Sequence, residues 1–303
     1  MMRLCRILAF LVCGVILVSI SGCEQNSSSG SPIFFEFKQQ PGDKYIYRIH
    51  DEVNWTMESH DGKAVSYHRL QDQKSVMRFN SIDSNAVRSL ELTFTVTFDS
   101  LTTEIPWMRS QDKLVGNCYV FNLKMRPNGE ILEVESDDPQ LTFYFNSGYR
   151  PSQLVFPKEA ISVGYSWDHK AEVPVPEGDP AQVTSKYTFE GFERIGEFDC
   201  AVIGFEAVIE YKEVISKKEP DEKEEYDYRT YSCRTNNDGK LYFAFREGFV
   251  VKKVNLLSSD ANHCWVTGEE SRIKSRTQMR DAETITLAAI ERNDGEKIHF
   301  QFE

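Results

Sequence analysis

The residue types that carry out acid–base, nucleophilic or metal chemistry are scattered singly along this chain of 303 residues. The sequence contains no G-x-S-x-G, H-E-x-x-H or C-x-x-C motif and no glycine-rich phosphate loop. The six histidines lie apart in sequence: His50, His60, His68, His169, His263 and His299. We therefore predict a protein that is not an enzyme, with no catalytic residue, no metal site and no cofactor.

Adjacent carboxylates are frequent, but neighbours on a strand point to opposite faces of a sheet. His50, Asp51 and Glu52 therefore cannot converge on one ion if they share a strand. General acid–base work needs two carboxylates held across a cleft in contrasting environments. We interpret the adjacent pairs as solvated surface charge: Asp51/Glu52, Asp137/Asp138 and Glu269/Glu270.

The N-terminus has the pattern of a targeting segment. Met1–Arg6 carries two arginines, and Ile7–Ile20 follows as 14 almost uniformly apolar residues. Spanning a bilayer takes about 20 residues, so the apolar run is typical of a signal peptide. The next residues, Ile20-Ser21-Gly22-Cys23, resemble the lipobox of bacterial lipoproteins. An ordinary secretory peptide with a chance cysteine is the alternative.

The lipobox resemblance implies cleavage before Cys23 and acylation of its sulfur and its new amino group with chains such as palmitate. Two or more acyl chains make membrane attachment durable. Residues 1–22 would then be the signal peptide and 23–33 a lipidated tether, rich in small polar residues. By analogy with Gram-negative sorting, Glu24 favours the outer membrane. We thus expect a cell-envelope protein bound to the membrane through Cys23.

Four cysteines remain beyond Cys23, and an exported protein can bridge them with three connectivities. They are Cys118, Cys200, Cys233 and Cys264. If the charged run Ser216–Glu225 is a hairpin tip, Cys200 faces the region of Lys240, too far from Cys233 for a bridge. Cys233 precedes a strand that turns back at Glu247-Gly248 toward Cys264. We hypothesise a Cys233–Cys264 disulfide; buried free thiols are the alternative.

Composition excludes several classes of protein. The chain is 40% hydrophobic and 27% charged, which excludes a disordered chain and a multi-span membrane protein. Its net charge is −12, and removing residues 1–22 removes two arginines and no carboxylate, leaving −14. So acidic a surface repels phosphate backbones, and we expect no nucleic acid partner.

Alternation of apolar and polar residues dominates from Phe34 onward and predicts an all-β, antiparallel, strongly curved sheet or half-barrels. Leu90–Phe98 is the clearest case, with one buried and one wet face. Short helices are expected only within Glu104–Leu114 and Gln140–Arg150. Five dipeptides suit positive-φ turns: Asp61-Gly62, Asn128-Gly129, Asp238-Gly239, Glu247-Gly248 and Asp294-Gly295. A two-residue turn at Asp61-Gly62 would place His68 opposite Trp55.

Two halves of the chain resemble each other, which predicts two related β modules over residues 34–152 and 153–303. Gly42-Asp43-Lys44-Tyr45 matches Gly164-Tyr165-Ser166-Trp167, and Phe79 matches Phe189. The alternative is that any two β-meanders look alike. This layout resembles a group of bacterial lipoproteins of unknown function with a G-x-x-W or G-x-x-Y strand start in each half. They in turn resemble the LolA/LolB-like carrier superfamily, whose curved sheet forms a half-barrel around an apolar cavity.

These features together predict a lipid-anchored envelope protein that binds an apolar ligand or an envelope partner. The abundance of aromatic residues, 12% of the chain, would suit an aromatic-lined concave face. Two alternatives stay open. The modules could close on each other and form a structural spacer, or loops could build the site of an envelope hydrolase.

Overall fold

The computed structural model describes residues 31–103, 114–146, 153–173, 180–217, 228–267 and 270–301. Cys23, all but the last residue of the predicted helical stretch Glu104–Leu114, and most of the charged run Ser216–Glu225 lie outside these residues. The described chain forms twelve strands and one short helix, α1 (Pro139–Tyr144), which overlaps the second predicted helical stretch, Gln140–Arg150, at residues 140–144. The all-β prediction is confirmed. The strands are β1 (Lys44–Ser59), β2 (Ala64–Ile82), β3 (Arg88–Thr103), β4 (Cys118–Met125), β5 (Ile131–Glu135), β6 (Ser166–Val173), β7 (Ala181–Ile195), β8 (Phe198–Lys217), β9 (Tyr228–Ala244), β10 (Phe249–Thr267), β11 (Glu270–Glu291) and β12 (Lys297–His299).

All twelve strands belong to one curved, antiparallel sheet that does not close. Its order is β5-β4-β3-β2-β1-β11-β10-β9-β8-β7-β6, with β12 added to β11. Each predicted half is a meander, and the halves join through the pairing of β1 with β11. Because neighbours are antiparallel along this path of eleven strands, the two edge strands β5 and β6 run in the same direction. The division into two domains stays a prediction, since both halves share one sheet.

The two strand starts matched by sequence make the same hydrogen bonds. Gly42 N donates to Phe79 O at 2.7 Å, and Gly164 N donates to Phe189 O at 2.7 Å. Both glycines have positive φ, 93° and 87°. A β-bulge follows directly after Phe79 on β2 and after Phe189 on β7. The equivalent local geometry gives the sequence similarity a structural counterpart.

The chain's own segments cover much of the apolar inner face. The segment before β1 places Phe35 against Phe156 and Phe189, with ring centroids 5.2 Å apart in each case. Phe145, directly after α1, packs 4.9 Å from Phe121 of β4. Their burial removes aromatic surface from water, the main stabilising term for such a sheet. The concave face near these segments is therefore a packed core.

Four of the five predicted turns have glycine at positive φ: Gly62, Gly129, Gly248 and Gly295. The prediction for Asp238-Gly239 was wrong, because both residues lie inside β9. There the backbone of β10 approaches so closely that a Cβ at Gly239 would lie 2.7 Å from Asn255 Cα. Glycine at 239 thus allows close strand packing rather than a turn.

One predicted strand register and one predicted alternation were also wrong. His68 pairs with Asn54, and Trp55 pairs with Tyr67, so the β1–β2 hairpin is shifted by one residue. On β3, a bulge between Val96 and Phe98 interrupts the alternation. Phe98 therefore turns outward and is 46% exposed.

Candidate functional site

A cleft lies between the two edge strands, at the seam where the sheet fails to close. Its volume is about 480 Å³, within the usual range for small-molecule sites, about 300–1,000 Å³. One wall comes from β5 and the other from β6, the strands at the two opposite edges of the sheet. The cleft is lined by Glu130, Ile131, Gln153, His169, Lys170, Ala171, Glu172 and Pro180. Ile131 is also part of the packed core, so the cleft abuts the apolar interior.

The walls are held by the segment before β6. Phe156 N donates to Asn128 O at 2.8 Å, and the Gln153 side chain donates to Gly129 O. On the opposite side, Trp167 Nε1 donates to Val155 O at 2.7 Å. Since these bonds join the β4–β5 turn to the start of β6, one end of the seam is tied and the cleft opens beyond it.

The polar groups of the cleft differ in their pairing. Glu130 accepts from Arg126 at 2.5 Å, and Glu172 accepts from Gln182 Nε2 at 2.8 Å. Among the described residues, the Lys170 ammonium has no carboxylate partner. A cation that lines a partly apolar cleft suits an amphiphile with an anionic group.

A second feature is a buried polar row that crosses five neighbouring strands of the concave face. In register from β10 to β3 it runs Asn255, Glu283, Asp51, Gln71 and Asp99. Burial raises the pKa of Asp51 well above its ordinary value, and the negative charge of Glu283 raises it further. Burial also raises the pKa of Glu283, which the Lys253 ammonium at 3.5 Å partly offsets. Asp51, interpreted from sequence as surface charge, is therefore a buried acid.

The row is only partly satisfied by hydrogen bonds. Gln73 Nε2 donates to Asp51 Oδ2 at 2.9 Å and to Gln71 Oε1 at 2.8 Å, and Asn255 Nδ2 donates to Asn237 Oδ1 at 3.2 Å. Asp51 Oδ1, Gln71 Nε2 and Asn255 Oδ1 have no partner within the described part of the chain. Each buried unpaired polar atom costs about 1–3 kcal/mol of stability, so these three atoms destabilise the central strands of the sheet.

At the end of the row, Arg69 forms a paired contact with Asp99. Arg69 Nε and Nη2 donate to the two carboxylate oxygens of Asp99, each at 2.7 Å. Both side chains are nearly buried, 10% and 8% exposed. Asp99 points inward because of the bulge that turns Phe98 outward. The sequence pattern gave no sign of this pair.

The predicted Cys233–Cys264 disulfide is wrong in this structure. Cys233 pairs with Ala261 across β9 and β10, and Cys264 pairs with Thr230. Three residues separate them in register, so their side chains leave opposite faces of the sheet. Both are free thiols, as are Cys118 and Cys200. Cys200 faces Ala244, four residues from the predicted Lys240.

The described residues include neither a cluster suited to a metal ion nor a helix that could span a membrane. They contain no group of three or more His, Cys, Asp or Glu placed to hold a metal ion. None of their helices is long and apolar enough to cross a membrane.

The sequence predicted neither the seam cleft nor the polar row. Both depend on pairings between distant strands, such as Asp51 on β1 with Glu283 on β11. A usable signal was present in β11, where Asp281 and Glu283 interrupt an otherwise alternating pattern at inward positions. A polar residue at an expected core position often marks a functional or strained site.

Comparisons with known proteins are sparse. No family model matches the chain, and no curated protein matches it. A solved structure of lipovitellin, concerned with lipid–protein interactions in that protein, is similar with a TM-score of 0.40 and 11% sequence identity. The match covers 86% of this chain and 26% of the lipovitellin chain, so this chain spans about a quarter of the length of lipovitellin.

Proposed function

We propose that this protein is a lipid-anchored, non-enzymatic protein of the bacterial envelope that binds an amphiphilic ligand in the seam cleft. The observation that supports this is a cleft of about 480 Å³ whose lining includes the buried Ile131 and Lys170, which has no carboxylate partner among the described residues. The apolar chain of the ligand would lie against Ile131 and Ala171. Its anionic group would meet Lys170 of β6.

The signal-peptide pattern and the lipobox resemblance around Cys23 support the anchor. Acylation would hold the folded body at the membrane, where amphiphilic ligands are abundant. Incorporation of a radioactive fatty acid tests this part: Cys23→Ala should abolish the label. Undiminished label in that variant would remove the anchor from the proposal.

Ligand binding is tested with full-length protein purified from membranes. Native mass spectrometry should show a co-purifying lipid, and a fluorescent fatty acid should bind in competition with it. Ala171→Trp fills the cleft and should weaken binding at least about tenfold, equivalent to ~1.4 kcal/mol. Val208→Trp adds the same bulk on the outer face of β8, where Val208 is 39% exposed, and should leave binding unchanged.

The head-group contact has its own test. Lys170→Glu should weaken a fatty acid probe but not the matching fatty alcohol, because only the acid carries a charge. Lys186→Glu changes the same charge at an exposed position of neighbouring β7 and serves as control. If all variants bind the fatty acid and the fatty alcohol with equal affinity, and native mass spectrometry shows no co-purifying lipid, the structural spacer is favoured.

A second candidate function is a hydrolase, and one observation favours it. Asp51 and Glu283 form a directly opposed carboxyl pair with raised pKa values, a combination that recurs in acid–base catalysis. Neither residue lines the seam cleft. Hydrolysis of an ester probe that is lost in Asp51→Asn and retained in Ala171→Trp would support this candidate over the binding protein.

A further inference from the structure

An exposed aromatic patch lies at the end of the sheet where the strands are joined by short turns. Four large hydrophobic side chains around the start of β6 and the end of β7 are open to solvent: Phe34 by 52%, Phe192 by 51%, Val163 by 46% and Tyr165 by 39%. We call these four residues the end patch. Neither cleft nor core accounts for them.

Backbone and ring contacts bring the end patch together. Ile33 and Ile161 form a β-bridge with two 2.8 Å hydrogen bonds, which places Phe34 beside the chain that leads to Val163. Tyr165 O accepts from Phe189 N at 2.9 Å. The Phe189 ring lies 5.2 Å from that of Phe192. Two chain segments and β7 thus bring the four patch residues to the same end of the second meander.

Buried aromatic rings support the patch from below. Phe192 packs on Phe245 at 5.4 Å, and the Phe35 ring lies 6.4 Å from Phe245. Arg246 places its guanidinium 5.6 Å from the centre of the Phe245 ring and also pairs with Asp199 at 3.0 Å. Aromatic side chains mixed with arginine are typical of surfaces that rest at the head-group level of a bilayer.

The length of the tether decides which end of the molecule can reach the membrane. Ten residues lie between Cys23 and Phe34, and the eleven steps of a fully extended chain between them span at most about 40 Å. β11 alone has 22 residues, about 70 Å at ~3.3 Å per residue. An anchor at Cys23 therefore keeps the end patch near the bilayer and leaves the opposite end of the sheet out of reach.

We infer that the end patch docks on the lipid surface that carries the acylated Cys23. This inference rests on the proposed anchor but not on the ligand cleft. Docking would orient the body with its long strands pointing away from the membrane. It would also remove the exposed apolar side chains of the end patch from water.

The test uses mature, acylated, full-length protein reconstituted into vesicles of phosphatidylethanolamine and phosphatidylglycerol, with and without bromine on the acyl chains. Phe192→Trp and, separately, Val163→Trp place a new fluorophore in the patch. Ile273→Trp places one on β11 near the opposite end, where Ile273 is 58% exposed. Emission of the unsubstituted protein is subtracted in each case.

Brominated lipid should quench the added emission of both patch variants and leave that of Ile273→Trp unchanged. If the acylated protein binds the vesicles but brominated lipid quenches the added emission of neither patch variant, docking is overturned and the anchor stands. If the intact mass of the protein shows no acyl chain and the protein does not float with vesicles, both the anchor and the docking are overturned.

Discussion

The buried polar row predicts that removing one of its charges stabilises the protein. Asp51→Asn keeps the shape of the side chain and its acceptor for Gln73. It also turns the unpaired Oδ1 into an amide that can donate toward Glu283, its cross-strand partner. The substitution thus removes a like charge and satisfies a buried atom at once.

The magnitude follows from the pairing geometry. Opposed residues on antiparallel strands have Cβ atoms about 5 Å apart, and two negative charges ~5.5 Å apart at an effective dielectric constant of ~20 repel by about 3 kcal/mol. Lys253 lies 3.5 Å from Glu283 and cancels part of this repulsion. We expect the free energy of unfolding at pH 8 to rise by about 1–2 kcal/mol, within the range found when buried charges are replaced.

The pH dependence gives a sharper signature than the magnitude. A carboxyl whose pKa is raised on folding holds its proton more tightly in the folded state. The contribution of this carboxyl to stability is therefore greatest below its unfolded pKa, about 3.9 for Asp, and is lost as the pH rises through its folded pKa. In Asp51→Asn this fall should be smaller, so the variant gains more at pH 8 than at pH 5.

Urea unfolding at pH 5 and pH 8, followed by tryptophan fluorescence, measures both effects if the slope with urea is unchanged. Asp72→Asn is the matched control, because Asp72 pairs with His50 on the surface, with side chains 47% and 59% exposed. It should change stability by less than about 1 kcal/mol. Equal destabilisation of Asp51→Asn at both pH values would refute the reasoning, since it would mean that the folded protein stabilises an ionised Asp51.

Three further outcomes are expected. Arg69→Ala strands a buried carboxylate and should cost about 3–5 kcal/mol in urea unfolding, against less than about 1 kcal/mol for the exposed Arg234→Ala. Gly239→Ala forces apart the backbones of β9 and β10 and should cost about 1–3 kcal/mol or more, seen as a lower urea midpoint at unchanged slope. Cys233 and Cys264 should both be alkylated after denaturation without reductant, and a peptide linking them would contradict the strand register.

Local pattern was sufficient for the strands and most turns, because both depend on neighbouring residues. Alternation along Leu90–Val96 matches the buried positions of β3, and Gly129 and Gly248 adopt positive φ at turns as predicted. The pattern failed at Phe98, where a bulge shifts one strand against its neighbour. A bulge depends on the pairing of two strands, and a single strand does not reveal it.

The candidate sites escaped prediction for a related reason. Asp51 reads as surface charge beside Glu52 until β1 is paired with β11, which begins more than two hundred residues later. The seam cleft likewise joins β5 and β6, the two edges of a sheet whose order cannot be inferred from alternation. Glycine in a strand has the same ambiguity: Gly239 looks like a turn signal but accommodates the close approach of β10.

The seam and the polar row have complementary places in the sheet. β5 and β6 run in the same direction, so direct closure would require parallel pairing between strands of five and eight residues, which offers little stabilisation. The seam therefore stays open. The opposed pair Asp51 and Glu283 lies on β1 and β11, the strand pairing through which the two meanders join. The like charges and the unpaired Asp51 Oδ1 therefore lie at the joint between the two meanders, in the middle of the strand order, whereas the cleft lies between its two edges.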